Sequence, residues 1–519
     1  MRGHVFVVRG DVRRLVCDAW LLPTDARPYV TPGWFAQPDP PSMTYGAHAS
    51  WLGGFRDAVA RVSAEPFRRG ELVRVVGSRG PSGAVPVLTQ TATAVDTVDW
   101  DHVRRALAAF VKQAKRLDRS GPAARRRVPL LAVPAVGTGA GGGAAVKGEA
   151  VERLLHLLAD EADGVDVALV LTTDAMAAAA RSHRRRPEHR LPFERELGGA
   201  LLAEADRLAL RARSGEVVLF TGAGTGVPAG LPTWDGLLRE LAGGELFSEP
   251  ELRELSALDK AAIIERRIGR QALVDAIARA VGVDSYALGH ALLANLPIGE
   301  AATLNYDELF ETAAHDAGRR LAVLPYERPG PGYDGWLLKM HGCVRPDRRE
   351  DIVLTRADYL TVGQHRAALT GLLQAMLVTR HMLFVGFGLT DEHFHAVIHD
   401  VRRALLPQAD AGKEPFGTAL VLRPQRAAEM VWSDDLYLLP MSGDDPPRRL
   451  EIFLDWLANE SDQGWQHVLD DSFASILEGA EVELKRYLEQ LVAARPVLEP
   501  GGAWPAVTTM LARFGWSED

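Results

Sequence analysis

The sequence predicts an α/β protein: two successive sheet-containing units followed by a helical tail. Three observations predict this. Short apolar runs that read as buried strands alternate with stretches of helical spacing over most of the chain. Two of those runs, VPLLAVP at 128–134 and VVLF at 217–220, lead straight into glycine-rich loops. Beyond Asp445-Pro446-Pro447 only helical periodicity is left.

Length and composition bound the answer. A chain of 519 residues has room for two or three domains of roughly 100–200 residues each. It is 47% hydrophobic and 24% charged, ordinary for a globular protein with a sizeable core. The only cysteines are Cys17 and Cys343, which suits a reducing cytoplasm and excludes a four-cysteine zinc site. A net charge of −9 is mild and gives no nucleic-acid footprint. No run approaches the length of a membrane span, and the start MRGHVFVVRGDVRR lacks the apolar core of a signal peptide. The expected location is therefore cytoplasmic, without membrane contact. Abundant alanine and arginine with scarce lysine point to a bacterial source.

In chain order, residues 4–9 and 17–25 read as strands, and 28–41 as a proline-rich loop. A helix is expected at 51–62, strands at 72–76 and 85–89, and an amphipathic helix at 103–117. The strand at 128–134 runs into Gly137-Thr138-Gly139-Ala140-Gly141-Gly142-Gly143, a helix begins near Val146, and 165–172 is a further strand. The run RSHRRRPEHR at 181–190 has no apolar periodicity and reads as a solvated linker. Helical spacing at 193–213 leads into the strand 217–220, glycines 222, 224 and 226, and a helix from about Trp234 to Leu241. A strand that ends in glycines and feeds a helix is how such folds cradle phosphates: the backbone approaches the anion and free N–H groups point at it. Largely helical sequence follows to Ala280, with an acidic stretch at 245–254, and another helix at 290–296. Strands are then expected at 301–305, 336–340, 351–355, 382–386 and 418–422, and helices at 450–458, 473–494 and 504–514.

Four stretches carry the chemistry: the glycine loop with Gly230-Leu231-Pro232-Thr233-Trp234, then Leu304-Asn305-Tyr306-Asp307, Met340-His341-Gly342, and the strand 382–386 with Gly386-Phe387-Gly388-Leu389-Thr390-Asp391. In this order they resemble the SIR2 (sirtuin-like) family of NAD-consuming proteins over about 192–441, which implies a Rossmann-like parallel sheet. Asp235 replaces the family's usual arginine and Gly226 its serine, and the zinc cysteines are missing. These departures look like the zinc-free bacterial branch, several of whose members hydrolyse NAD in anti-phage defence. In the front unit, Gly10-Asp11-Val12, Asp18-Ala19 and Ala135-Val136-Gly137-Thr138-Gly139 resemble a macro domain, an ADP-ribose binder, although 24–28 departs from that family's first loop.

Cleaving the nicotinamide–ribose bond needs few groups, because the leaving group is already cationic. A histidine can take a proton from a ribose hydroxyl or a water, and an amide can hold that water. The resemblance implies that Asn305 and His341 are catalytic. It implies that Trp234 caps the reactive ribose and Asp307 meets the carboxamide. Gly222, Ala223 and Gly224 would carry the pyrophosphate, and Gly386, Gly388 and Asp391 would flank the adenosine side. Each has a plainer reading: Asn305 and Asp307 would equally cap a helix starting near Glu308, and the glycines would serve packing.

The expected organisation is thus a macro-like unit at 1–180, a basic linker at 181–191, a SIR2-like NAD-binding unit at 192–445 and a helical extension at 446–519. The expected function is hydrolysis of NAD to ADP-ribose and nicotinamide, acting in defence by NAD depletion, with no zinc or other metal. ADP-ribose or a related nucleotide is the expected ligand of Gly137, Gly139 and Gly141, and a second copy or a defence protein the expected partner. Two alternatives stay open: an NAD or ADP-ribose sensor without turnover, and a transferase or deacylase acting on a protein acceptor.

Overall fold

The computed structural model describes residues 2–37, 47–93, 98–138, 146–242, 254–405 and 414–517, without the side chains of 362–365. The first unit is a six-stranded sheet: β1 (Val5–Arg9), β2 (Ala19–Thr24), β3 (Val73–Val75), β4 (Val85–Gln90), β5 (Leu130–Pro134) and β6 (Asp166–Leu171) in the order β1-β6-β5-β2-β4-β3. Only β3 runs antiparallel to its neighbour. Helices α1 (Ala47–Val62), α2 (Trp100–Ala114), α3 (Lys147–Glu161) and α4 (Asp174–Arg184) belong to this unit. β4, β5 and β6 are buried along their whole length, which is why they read as continuous apolar runs rather than alternating ones.

α5 (Leu191–Arg213) leads to the second sheet, with a break in helical geometry at Gly198, where φ is 73°. Seven strands follow: β7 (Val217–Thr221), β8 (Glu300–Thr303), β9 (Leu321–Leu324), β10 (Gly335–Lys339), β11 (His381–Val385), β12 (Gly417–Val421) and β13 (Leu436–Pro440). Their order is β13-β12-β11-β7-β8-β10-β9, and every neighbouring pair is parallel. The helices between them are α6 (Trp234–Leu241), α7 (Ala257–Ile268), α8 (Arg270–Val281), α9 (Leu288–Ala294), α10 (Leu309–Asp316), α11 (Arg356–His365), α12 (Ala367–Thr379), α13 (Glu392–Ala404) and α14 (Arg426–Trp432). The tail holds α15 (Pro446–Ser461), α16 (Ala480–Ala493), α17 (Arg495–Leu498) and α18 (Trp504–Ala512).

The structure corrects the sequence reading in four places. Residues 351–355 form no strand: a 3-10 turn ends at Asp351, and buried Ile352, Val353 and Leu354 pack as irregular chain. β9 and β13 were not expected; both are apolar runs of five residues or fewer at the sheet's edges, cut short by Pro325 and Pro440. The run 181–190 is not a solvated linker. It completes α4 and a 3-10 turn, and Arg181, His183 and Arg184 are buried.

The fourth correction concerns the tail, whose first helix is central rather than peripheral. α15 packs along α5, and its Ile452, Phe453, Trp456 and Leu457 join a core shared with Phe6, Trp20 and Phe193. Charge complements that core. Asp455 of α15 accepts two bonds from Arg184, at 2.6 and 3.0 Å, and one contact from His4 at 2.7 Å. Arg448 binds Asp166 of β6 at 2.9 Å, while Arg126 binds Glu451 at 2.6 Å. Buried charges persist only when paired this closely. The two units also meet directly, through loops. Tyr286 exchanges backbone bonds with Arg14 and Val16 and places its hydroxyl 3.0 Å from the amide of Asp11. Arg14 pairs with Asp316 at 3.0 Å.

Candidate active site

After β8, β9 and β10 have been laid on one side of β7, the chain crosses to β11 on the other. The strand ends on either side of that reversal splay apart and leave a crevice, the place where open α/β sheets bind ligands. A cleft of about 590 Å³ opens there. Gly222, Ala223, Gly224, Trp234, Asn305, Asp307, His341, Gly386, Gly388 and Asp391 all line it, so the structure brings together every residue that the sequence predicted for the NAD site. A larger cavity of about 730 Å³ lies between the two units and the tail, but two of its arginines, Arg9 and Arg181, are already paired with Asp174 and Asp462.

The glycines act by close packing. A Cβ on Gly222 would lie 2.6 Å from the carbonyl oxygen of Gly386, and one on Gly386 would lie 2.4 Å from the amide of Thr225. Gly386 also has φ 66°, a conformation that glycine adopts without strain. The two loops are therefore locked together, Gly222 N–H donating to Val385 at 3.0 Å and Gly224 N–H to Gly386 at 2.8 Å. This corrects the expectation of free amides: those of 222, 224, 225 and 226 all have backbone acceptors. The helix that follows starts at Trp234 on a Thr233 cap, whose side chain accepts from Gly236 N–H at 3.3 Å. One turn past Gly386, buried Leu389 has φ 56°, a strained conformation for leucine held beside the cleft.

Asn305 follows β8 and is anchored by its amide, which donates to Gly222 O at 3.1 Å and lies 3.4 Å from Thr225 Oγ1. That fixes the flip, so the other end of this cleft-lining side chain is an acceptor oxygen. Asn305 caps no helix. Asp307 does serve the helix start, since its carboxylate accepts from Leu309 N–H at 3.0 Å. Fully buried Lys339, at the end of β10, holds this loop by donating to Asp307 O and to Glu311 Oε1. Two residues on, His341 is 3% exposed, with Nδ1 3.5 Å from the Tyr359 hydroxyl and a buried Nε2 that has no partner among the described residues. Tyr359 donates to Asp391 Oδ2 at 2.7 Å, and Asp391 Oδ1 caps α13 by accepting from Phe394 N–H at 2.9 Å.

Residues 299–432 match the model of the SIR2-like domain. Three relatives extend the likeness. NAD(+) hydrolase ThsA of Acinetobacter baumannii (strain 532279) is 28% identical over 206 residues, 38% of this chain and 41% of that protein. Defense-associated sirtuin 2 of Bacillus subtilis is 27% identical over 212 residues, 39% of this chain and 21% of that protein. NAD(+) hydrolase ThsA of Enterococcus faecium is 30% identical over 200 residues, 37% of this chain and 41% of that protein. The chain thus spans about two fifths of the ThsA relatives' length and about a fifth of the sirtuin's. Among solved structures, an Oceanobacillus iheyensis macrodomain with ADP aligns with 34% of this chain and 87% of its own, at 15% identity and a TM-score of 0.22.

The electrostatics of the SIR2-like region follow from burial. Desolvation, more than any neighbour, lowers the His341 pKa to about 4, with Asp391 pulling the other way. The ring is neutral at pH 7 and can accept a proton. Burial raises the Asp307 carboxyl, and burial together with Asp391 raises the Tyr359 hydroxyl. Tyr359 and His393 were missed in sequence. His393 stacks on His341 at 5.9 Å, two residues beyond Asp391; the polar cluster DEHFH after a buried strand was the available signal. Tyr359 had none, because it arrives from a helix outside the four motifs.

The front unit has its own cleft, about 600 Å³, at the ends of β1, β5 and β6. Asp11, Arg13 and Trp34 line it from one side, and His315, Asp316 and Gly318 close it from the SIR2-like region. Gly137 has φ 76° and packs near Trp100 and Val98, whereas Gly139 and Gly141 lie outside the described residues. No helix among the described residues is long and apolar enough to cross a membrane.

Proposed function

We propose that this protein hydrolyses NAD at the nicotinamide–ribose bond, giving nicotinamide and ADP-ribose, and that it acts in the bacterial cytoplasm by depleting NAD during phage infection. The observation that carries this reading is the convergence of Asn305 and His341 on one cleft walled by two interlocked glycine loops. The names of the similar ThsA proteins and of the defence-associated sirtuin support it. In this reading the Asn305 oxygen holds the attacking water or a ribose hydroxyl, and neutral His341 accepts the proton that is released. The cleft walls exclude bulk water while the ribose carbon gains oxocarbenium character. Trp234 covers the ribose, Asp307 meets the carboxamide and Gly388 borders the adenosine end, whereas Asp391, expected there too, stands with Tyr359 beside His341. With the flanking amides already bonded within the protein, the exposed Ala223 edge is where the pyrophosphate would be met. Purified protein incubated with NAD should release nicotinamide; folded protein that releases none, with or without ADP-ribose present, would sink the proposal.

A second reading rests on the front cleft, which is closed by residues of the SIR2-like region. A nucleotide related to ADP-ribose bound there would contact both units at once and bias the activity of the second. Such control requires unequal affinity for the active and inactive states. ADP-ribose titrated into the full chain should change the nicotinamide-release rate, and Trp34→Ala should reduce that response while sparing the basal rate.

A further inference from the structure

Away from both clefts, four side chains with metal-binding chemistry converge. Glu152 and His156 stand one turn apart on α3, His183 lies in the last turn of α4, and His189 ends the 3-10 turn Pro187–His189. The ring centroids of His183 lie 5.1 Å from those of His156 and 4.4 Å from those of His189, and His156 and His189 are 5.8 Å apart. Ligand atoms of Glu152, His156 and His183 all lie within 4.8 Å of one another.

His183 is the telling member. It is 4% exposed, and both ring nitrogens are buried without a hydrogen-bond partner among the described residues. Its Nδ1 is 3.2 Å from Glu152 Oε1, but at an angle that makes no hydrogen bond. A neutral imidazole offers one N–H and one lone pair. Leaving such a group buried and unmatched is costly. A cation that takes the lone pair removes that cost. The ligand types also fit: three imidazoles and a carboxylate suit zinc and its first-row neighbours, not magnesium or calcium. Tetrahedral Zn–N bonds of about 2.0–2.1 Å require ligand atoms about 3.4 Å apart. His156 is exposed and His189 half-buried, so these two stand at the solvent side of the cluster. Arg186 sits on the Glu152 carboxylate at 3.2 Å, the kind of outer hydrogen bond that orients a ligating carboxylate.

We propose that Glu152, His156, His183 and His189 bind one zinc-class divalent ion. Four protein ligands close the coordination sphere, so the ion is structural. It pins the segment between α4 and α5 to α3, and with it the joint through which the front unit meets the SIR2-like region. Neighbouring Arg184 already ties the same joint to Asp455 of α15. This departs from the expectation of no metal. It is independent of NAD cleavage, since none of the four residues lines the active-site cleft.

The test uses the full chain, stripped with a chelator and titrated with Zn²⁺ against a chromophoric competitor, then with Co²⁺ followed by visible absorption. One ion per chain, the intense visible bands of tetrahedral Co²⁺ and a zinc-dependent rise in Tm are expected. His156→Gln and His189→Gln, both at the outer side of the cluster, should each weaken binding by roughly tenfold or more. They should abolish the rise in Tm while leaving the far-UV circular dichroism unchanged. The only other cluster of this kind among the described residues is His341, Asp391 and His393 in the active-site cleft. His393→Gln should therefore leave zinc binding as in the wild type. Absence of stoichiometric binding, binding that survives the His156→Gln/His189→Gln pair, or binding lost in His393→Gln overturns the proposal.

Discussion

Asn305 and His341 differ in how the fold holds them. The Asn305 amide is fixed by the Gly222 carbonyl, so Asn305→Asp would face that oxygen with a second acceptor and Asn305→Ala would remove the amide altogether, leaving that oxygen to Thr225 alone. Either change should lower nicotinamide release by about 100-fold or more, the scale of losing a transition-state contact. His341→Ala should do the same while NAD binding, read by calorimetry, persists. His341 also belongs to a set of buried histidines. His48, His290, His341 and His381 are each held at about 4, mainly by desolvation. Their pKa values rise to about 6.5 in the unfolded chain. Between about pH 6.5 and 4 the unfolded state binds more protons, so stability must fall as pH drops through that window, by at most about 1.4 kcal/mol per pH unit for each histidine. Urea midpoints at pH 7.5 and pH 5 should differ accordingly; equal midpoints would contradict the burial of these rings.

At the scale of loops and helices, the paired glycine turns make a sharp comparison possible. Gly386→Ala would drive a Cβ to 2.4 Å from Thr225 N at positive φ, where the loops can only move apart. A loss of about 1–3 kcal/mol and of most turnover is expected. Gly388→Ala, two residues on, meets only Thr390 Oγ1 at 3.6 Å and should leave Tm close to the wild type. Differential scanning of the two variants separates a packing glycine from a surface one. This distinction was not legible in the sequence, where both glycines read alike. The strands β7, β8, β10 and β11 were legible, because each has an apolar middle and leads into a polar or glycine-rich loop. The edge strands β9 and β13 were hidden because they are short, four and five residues, and a proline closes each. Residues 351–355 look like a strand because three apolar side chains follow one another. Yet Ile352, Val353 and Leu354 are buried as irregular chain, and Tyr306 donates its hydroxyl to Val353 O at 2.7 Å.

For the molecule as a whole, the sequence displays two α/β units but conceals what joins them. The run 181–190 looks solvated because arginine and histidine are polar. Its partners, Asp455 and Asp462, lie more than 250 positions away and cannot be paired by inspection. Asp455 serves Arg184, His4 and the Val7 amide together. Asp455→Ala would strand a buried guanidinium, and a loss of about 3–5 kcal/mol is expected. Chemical denaturation followed by Trp456 and Trp20 fluorescence should show both units failing in one transition. Two separated transitions in the wild type would argue that the shared core does not couple them.

α15 also sets an order of events during synthesis. β6 ends at Leu171, and the helix that covers its Asp166 and the face behind β1 begins at Pro446. A ribosome adding roughly 5–20 residues per second needs on the order of tens of seconds to span that interval. Throughout it, Asp166 of the nascent front sheet has Arg126 but lacks Arg448, and an apolar surface lacks its lid. Late-arriving α15 is thus the latch of the molecule, and nascent chains stalled before residue 446 should recruit general chaperones and resist proteolysis less than chains released after residue 461.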